Sequence, residues 1–340
     1  MVIWGPGKDL QDRPFPGLRL APPGPGPGAL LPGTTQGIAM IVSASYRTDI
    51  PAFYGRWFLN RLRAGLCRTV NPYGRQVSTV PLTPEAVDGF VFWTRNIAPF
   101  RKALAEVADR GFPFVVQMTA TGYPRALETS VMDRRPAAAQ MRELARDFGP
   151  YAVVWRYDPV ISTSLTPADW HIANFAKMAE ALEGATDEAV ISFAHSYAKT
   201  KRNMDQAARA HGFTWEDPDI PWKREMAGRL ADIAGRHGMK LTICAQPEFA
   251  GQETCEARCI DAARLSRVAG RPIAAKQKGN RPGCACFESR DIGDYDSCPH
   301  GCVYCYAVRS RDLAKARFAR HDPESEFLIE PEAPQVYAAR

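Results

Sequence analysis

Apolar residues recur along most of the chain in two alternating patterns. Short runs at 38–45, 89–93, 112–118, 152–155, 189–193 and 240–244 are dense in Val, Ile, Phe and Trp, the composition of buried strands. Longer stretches at 51–66, 97–110, 136–147, 167–182 and 221–237 repeat their apolar positions at helical spacing. In the first of these, Phe53, Trp57, Phe58 and Leu62 share one face. A further short helix is expected over 260–268. Strand-like and helix-like stretches in strict alternation predict an α/β fold with parallel βα units. We therefore expect a parallel βα barrel of partial TIM type over residues 37–250, followed by a Cys-rich segment at 251–325 and a tail at 326–340. No internal repeat is visible.

Polar residues gather where each predicted strand ends. Arg47, Thr48 and Asp49 follow the first, Thr94, Arg95 and Asn96 the second, and Thr119, Thr121 and Tyr123 the third. Arg156, Tyr157 and Asp158 follow the fourth, His195 and Ser196 the fifth, and Gln246 and Glu248 the sixth. In a βα barrel these positions converge on the C-terminal face, where active sites lie. Helix capping explains some of them equally well, and Thr48 and Asp49 before Pro51 fit either role. Arg156 and His195 are not capping residues, so a site is the better reading for them. Arg47, Arg156, Asp158 and His195 are the candidate catalytic residues. Arg47, Arg95 and Arg156 could hold a cofactor carboxylate or an anionic substrate, or pair with acids such as Asp49 and Asp158. Tyr123, Tyr157 and Tyr304 could stack on a base or simply pack.

Composition narrows the class without choosing a substrate. The 340 residues are 45% hydrophobic and 24% charged, which suits a globular protein. Forty-three Lys and Arg against 37 Asp and Glu leave a net charge of +6; such a balance tolerates a polyanion but does not demand one. The basic stretches at 199–202 and 276–281 read as solvated faces or as guides for nucleic acid. Residues 1–36, with alternating Pro and Gly at 22–28, read as a disordered leader. The first ten residues lack the apolar core of a signal peptide, and no run reaches the roughly 18 apolar residues of a membrane span. A cytoplasmic protein with no membrane partner is expected.

The cysteines change the picture. Of nine, Cys67 stands alone and eight fall between Cys244 and Cys305, a clustering that points to metal ligation in a reducing compartment. Within residues 296–306, Cys298, Cys302 and Cys305 form a Cys-x3-Cys-x2-Cys motif around the permissive Gly301. Three thiolates so spaced can ligate three irons of a cubane and leave the fourth open.

This motif resembles that of the radical S-adenosylmethionine superfamily, including the aromatic Tyr304 just before the third cysteine. The resemblance implies a 4Fe-4S cluster on Cys298, Cys302 and Cys305, S-adenosylmethionine (SAM) on the open iron, and an adenine contact from Tyr304. It further implies reductive cleavage of SAM to a 5′-deoxyadenosyl radical and an electron donor of flavodoxin or ferredoxin type. The substrate is not named by it; DNA photoproduct repair is one destination that the basic balance and the arginines suit. In that superfamily the motif follows the first strand, whereas here it follows six βα units, which implies a circularly permuted barrel. The superfamily's Gly-Gly-Glu is missing, since the chain has no Gly-Gly pair; Glu248, Asp158 or a backbone carbonyl would take its place. Stretches 45–53, 91–96, 155–159 and 281–307 also resemble the uncharacterised prokaryotic family known as domain of unknown function 1848. Two rival readings stay open: structural zinc on the three cysteines with His300, and a catalytically silent cluster for electron transfer.

Five more cysteines, Cys244, Cys255, Cys259, Cys284 and Cys286, lie in the same region. Any four could hold a second Fe–S cluster or zinc, and one or two could be ordinary buried thiols. Cys284 and Cys286 flank one alanine between Gly283 and Phe287, a loop suited to wrapping a metal. Cys244, Cys259, Cys284 and Cys286 are the preferred set.

Overall fold

The computed structural model describes residues 39–331 apart from Ser196, Gln252 and Glu253. The leader expected at 1–36 and the tail beyond 331 lie outside the described residues.

Eight strands pair in parallel into one sheet: β1 (Met40–Ala44), β2 (Val87–Thr94), β3 (Phe114–Thr119), β4 (Val153–Val160), β5 (Glu188–Phe193), β6 (Lys240–Ile243), β7 (Cys255–Glu256) and β8 (Ser289–Asp291). Their order across the sheet is β8-β1-β2-β3-β4-β5-β6-β7. All six predicted strands form. Two short antiparallel pairs, Leu66–Val70 with Val77–Pro81 and Ser162–Thr163 with Trp215–Glu216, stand apart from the sheet.

Strand order follows chain order from β1 to β7, so right-handed crossovers deliver the intervening helices to a single face. These are α1 (Ile50–Phe53), α2 (Gly55–Ala64), α3 (Arg101–Asp109), α4 (Arg134–Phe148), α5 (Ala168–Leu182) and α7 (Ile220–Arg236), whereas α6 (Ala198–His211) packs Met204 and Ala207 into a separate cluster with Tyr123, Leu127 and Tyr304. The first expected helix is split: Asp49 caps α1 by accepting from Ala52 N at 2.9 Å, and α2 begins after Tyr54. Trp57, Phe58, Leu104, Met141, Phe175 and Leu230 from five of these helices bury against Val42, Phe90, Phe92, Val116 and Trp155 of the sheet.

The expected barrel of partial TIM type is realised as an open sheet. No pairing joins β7 to β8 among the described residues. The physical reason lies in the segment between them. β7 has two residues and β8 three, too short for a closing ladder. The chain linking them instead lays α8 (Ala262–Ala269) and its flanking loops across the sheet face opposite the helices. Ala257, Cys259, Ile260, Leu265, Ile273 and Cys286 pack there on Ile41, Val91, Val115, Val154 and Val190. The Cys-rich segment thus supplies both edge strands and half of the sheet's cover. A last helix, α9 (Arg311–Ala319), follows the three-cysteine motif.

Strand alternation makes this second face change character along its length. Successive residues point to opposite faces, so residues two apart share one. Ile41, Val91, Val115, Val154 and Val190 form the buried apolar row. Two residues further on stand Ser43, Trp93, Gln117, Arg156 and Ser192, and two beyond those Ser45, Arg95, Thr119, Asp158 and Ala194. One face passes from dry core to polar mouth within four residues.

Candidate functional site

A cavity of about 380 Å³ opens at this mouth. Its walls come from the ends of β1, β2, β3, β4 and β5, and from the loops that carry Cys244, Cys259, Cys284, Cys286, Cys298, Cys302 and Cys305. All seven preferred cysteines therefore line one space. Cys255 and Cys67 do not. Cys67 is buried in the helical core, and Cys255 lies against Lys240 at the sheet edge.

The three-cysteine loop is held by two buried polar assemblies. In the first, Glu128 Oε1 accepts from Arg95 Nη1 at 2.8 Å, from Thr121 Oγ1 at 2.6 Å and from the Tyr304 hydroxyl. Arg95 Nη2 in turn donates to Tyr304 Oη at 2.6 Å. Glu128 is 2% exposed and Arg95 9%, so each charge needs the other. Beside them, Tyr123, Leu127, Ile161, Met204 and Phe213 pack around Tyr304. In the second assembly, Asp49 Oδ2 accepts from His300 Nε2 at 2.8 Å and from Arg95 N at 2.8 Å. Thus Asp49 is both the cap of α1 and the anchor of the motif loop. From below, Tyr54 Oη donates to Ser297 O at 2.6 Å. The docking helix α6 ties on from above, with Lys199 and Arg202 donating to the carbonyls of Tyr306 and Arg309; this is the role the structure gives the basic stretch at 199–202. Gly301 has φ +79°, and a Cβ there would come within 2.6 Å of Arg311 Cδ, so glycine is needed at this turn of the motif.

The candidate catalytic residues all reach the cavity, and Arg47 and Arg156 each face an acid. Arg47 Nε lies 3.8 Å from Asp291, a buried carboxylate that also accepts from Ser43, Ser45, Tyr46 N and Gly293 N. Burial raises the Asp291 carboxyl above its ordinary range, against the pull of Arg47. Arg156 pairs with Asp158, donates to Cys259 Sγ at 2.9 Å and lies over the Trp93 ring at 4.9 Å. The Asp158 carboxyl is held below its usual range, with Arg156 and Ser192 outweighing its burial. His195 is half-buried, and desolvation together with Arg281 lowers its pKa.

Glu248, expected as a cofactor ligand, is exposed on the turn Pro247–Phe249 and does not line the cavity; only its carbonyl is used, by Arg224. A buried neighbour, Gln246, spends its amide on the backbone of Phe193. Tyr123 and Tyr157 are packing residues, the former donating to Pro159 O at 2.7 Å and the latter hydrogen-bonded to His171. Glu128 and Asp291 escape a reading of the sequence. Glu128 is an isolated acid on a loop, and Asp291 ends a strand of three residues, too short to show a period.

Polar atoms left without partners concentrate at the cavity. Arg47 Nε, Thr48 Oγ1, His195 Nε2, Thr200 Oγ1 and His300 Nδ1 are buried and unbonded among the described residues, and all five residues line it. Elsewhere among the described residues only Arg61 Nε and Arg101 Nη1 are so placed. Buried polar atoms in native proteins are nearly always paired, so this concentration leaves room for a polar ligand or for ordered water.

Burial raises all three motif cysteines, Cys302 to about 12, and among the described residues no three His, Cys, Asp or Glu side chains converge as a bound ion would draw them. The donor set nevertheless suits a soft metal: three cavity-facing sulfurs on an eight-residue loop, with Arg95 placed to offset their charge in the thiolate form. A bound cation reverses the cost of ionising such thiols.

Residues 41–307 match the family described as domain of unknown function, DUF1848. The chain belongs to this family. The match runs from β1 to the residue after Tyr306, and so takes in the sheet, the cavity and both cysteine groups. No protein of curated function matches the chain. Among the described residues no helix is long and apolar enough to cross a membrane.

Proposed function

We propose that this DUF1848 protein is a radical SAM enzyme whose cluster is held by Cys298, Cys302 and Cys305 at the mouth of a barrel-like parallel sheet. The observation that carries the reading is the shared cavity: three motif thiols and five side chains that each keep one unpartnered polar atom face one space at the strand ends. When bound, a 4Fe-4S cluster with one open iron supplies the electron that cleaves SAM to a 5′-deoxyadenosyl radical. The electron would come from a flavodoxin- or ferredoxin-type donor.

The chain's own residues bind, orient and shield. Tyr304, its hydroxyl held by Arg95 and Glu128, offers its ring to an adenine. Arg47 and Thr48 offer donors to the cofactor's carboxylate, and Asp158 is the acid on hand for its amine. His195 and Arg281, across the cavity, would face a substrate rich in acceptors, a nucleotide among them. The adjacency of β8 to β1 supports a permuted order of barrel strands, with the motif following β8 as it would follow the first strand of the superfamily.

The test is anaerobic reconstitution with iron and sulfide, reduction, and addition of SAM. The reading expects 5′-deoxyadenosine, abolished when Cys298, Cys302 and Cys305 are changed to Ala. Product that persists in that variant would overturn the ligand assignment. One observation favours the zinc alternative. His300 has Nε2 bound to Asp49 and Nδ1 free, the carboxylate–histidine arrangement of many metal ligands. Stoichiometric zinc lost in His300→Ala, with no iron or sulfide, would decide for it.

A further inference from the structure

Opposite the motif loop, three separate segments bring four more sulfurs to the cavity wall. Cys244 follows β6, Cys259 precedes α8, and Cys284 and Cys286 lie on the loop before β8. Cys244 Sγ and Cys259 Sγ stand 3.5 Å apart. Cys259 is in side-chain contact with Cys286, and Cys286 with Cys284. The four form an unbroken string of thiols, drawn together across 42 positions of sequence.

The surroundings are built for sulfur bearing negative charge. Arg156 Nη1 donates to Cys259 Sγ at 2.9 Å, Arg281 Nη2 to Cys244 Sγ at 3.7 Å, and Ile260 N to Cys286 Sγ at 3.4 Å. Such outer donors orient and tune thiolate ligands. Two glycines shape the cradle. A Cβ on Gly279 would strike the Cys284 carbonyl and come within 2.8 Å of the Cys284 Cβ. Gly283 has φ +71°, and a Cβ there would sit 3.1 Å from Pro247 Cδ. Both loop glycines are thus required for the backbone to carry Cys284 and Cys286 to the wall.

We propose that Cys244, Cys259, Cys284 and Cys286 form a second metal centre, a four-thiolate site facing the three-cysteine loop across one cavity. The 3.5 Å separation is close to the edge of a tetrahedral zinc tetrathiolate, about 3.8 Å for Zn–S bonds of about 2.3 Å. Among the described residues no three such side chains already converge on one point, so metal binding would draw the ends of the string together. Zinc and an iron–sulfur centre share this ligand chemistry. The site does not depend on what the three-cysteine loop holds.

The experiment therefore removes that loop's thiols first. In the full chain with Cys298, Cys302 and Cys305 changed to Ala, cobalt(II) alone is titrated in under anaerobic conditions. We expect about one equivalent per chain, with the sulfur-to-cobalt charge-transfer and ligand-field bands of a tetrahedral tetrathiolate. Adding Cys259→Ser and Cys286→Ser should abolish the bands, whereas Cys67→Ser and Cys255→Ser should keep them. Arg281→Ala should weaken cobalt binding by about 10- to 100-fold. A folded triple variant that takes up no cobalt, or whose bands survive loss of Cys259 and Cys286, overturns the proposal. Should the triple variant not fold, Cys286→Ser in the otherwise unaltered chain must lose one metal centre relative to the unaltered protein, and equal metal content overturns the proposal. Acid-labile sulfide in the purified chain separates an iron–sulfur centre from zinc.

Discussion

The two faces of the sheet are made from the same strands, yet they do different work. The helical face is aromatic and closed: Phe58, Phe90, Phe92, Phe100 and Trp155 pack edge to face or stack with their neighbours at 4.5–5.9 Å. The other face begins with Val and Ile under α8 and ends in charge and thiols. Stability is concentrated where large apolar side chains leave water together. Function gathers where burial is incomplete and polar atoms remain unpaired. One alternating strand can serve both because its two faces are chemically independent.

The sharpest way to break this division is to truncate one large residue on each side. Trp155→Ala, on the helical face, should cost about 3–5 kcal/mol in urea unfolding. Cys298→Ala in the metal-free protein should cost less than about 1 kcal/mol while abolishing 5′-deoxyadenosine formation. Equal stability losses would mean that the cavity face is core as well. Next in size is the buried pair under the motif loop. Glu128→Ala leaves the Arg95 charge without its counter-ion and should cost about 3–5 kcal/mol by the same measurement. A loss under about 1 kcal/mol would show that water replaces the carboxylate.

The acid limb of stability tests the helical side. His171 is fully buried, accepting from the Tyr157 hydroxyl and donating to Ile161 O, and desolvation lowers its pKa to about 4. Its neutral form is bound in the fold, so the unfolded chain takes up the proton first. The contribution is complete above about pH 6.5 and is lost as pH falls toward 4, to a limit of about 3 kcal/mol. Urea midpoints measured between pH 7 and pH 4.5 should drop, and His171→Gln should flatten that slope. Smaller still is the behaviour of the lone thiol. Burial pushes Cys67 up to about 12, so iodoacetamide at pH 8 should spare it until the protein is unfolded, as read by peptide mass. Last, Glu248→Ala should leave stability within about 0.5 kcal/mol and product yield unchanged, since Glu248 faces solvent.

Much of this architecture is legible from order and period alone. Six strands and their crossovers announce themselves because runs such as Val153–Val160 and Phe114–Thr119 are buried on both faces, which enriches them uniformly in apolar residues. The split at Tyr54 is invisible to periodicity, since α1 and α2 keep one apolar face across the break. β7 and β8 are hidden for a simpler reason: two or three residues carry no measurable period. The polar strand ends were recognisable as a group, but their partners were not. Asp291 and Glu128 meet Arg47 and Arg95 across separations of 244 and 33 residues, and nothing local signals such a pairing.

What the sequence by itself determined, then, is the βα alternation, the spacing of three thiols around Gly301, and the chemical softness of the C-terminal third. These are local properties, fixed by rotamers, chain stiffness and side-chain type. Only the tertiary structure decided that the sheet stays open, that Glu248 points away, and that seven cysteines from four stretches of chain line one cavity. Those outcomes depend on which distant surfaces can bury one another, a long-range free-energy balance that no short window of residues contains.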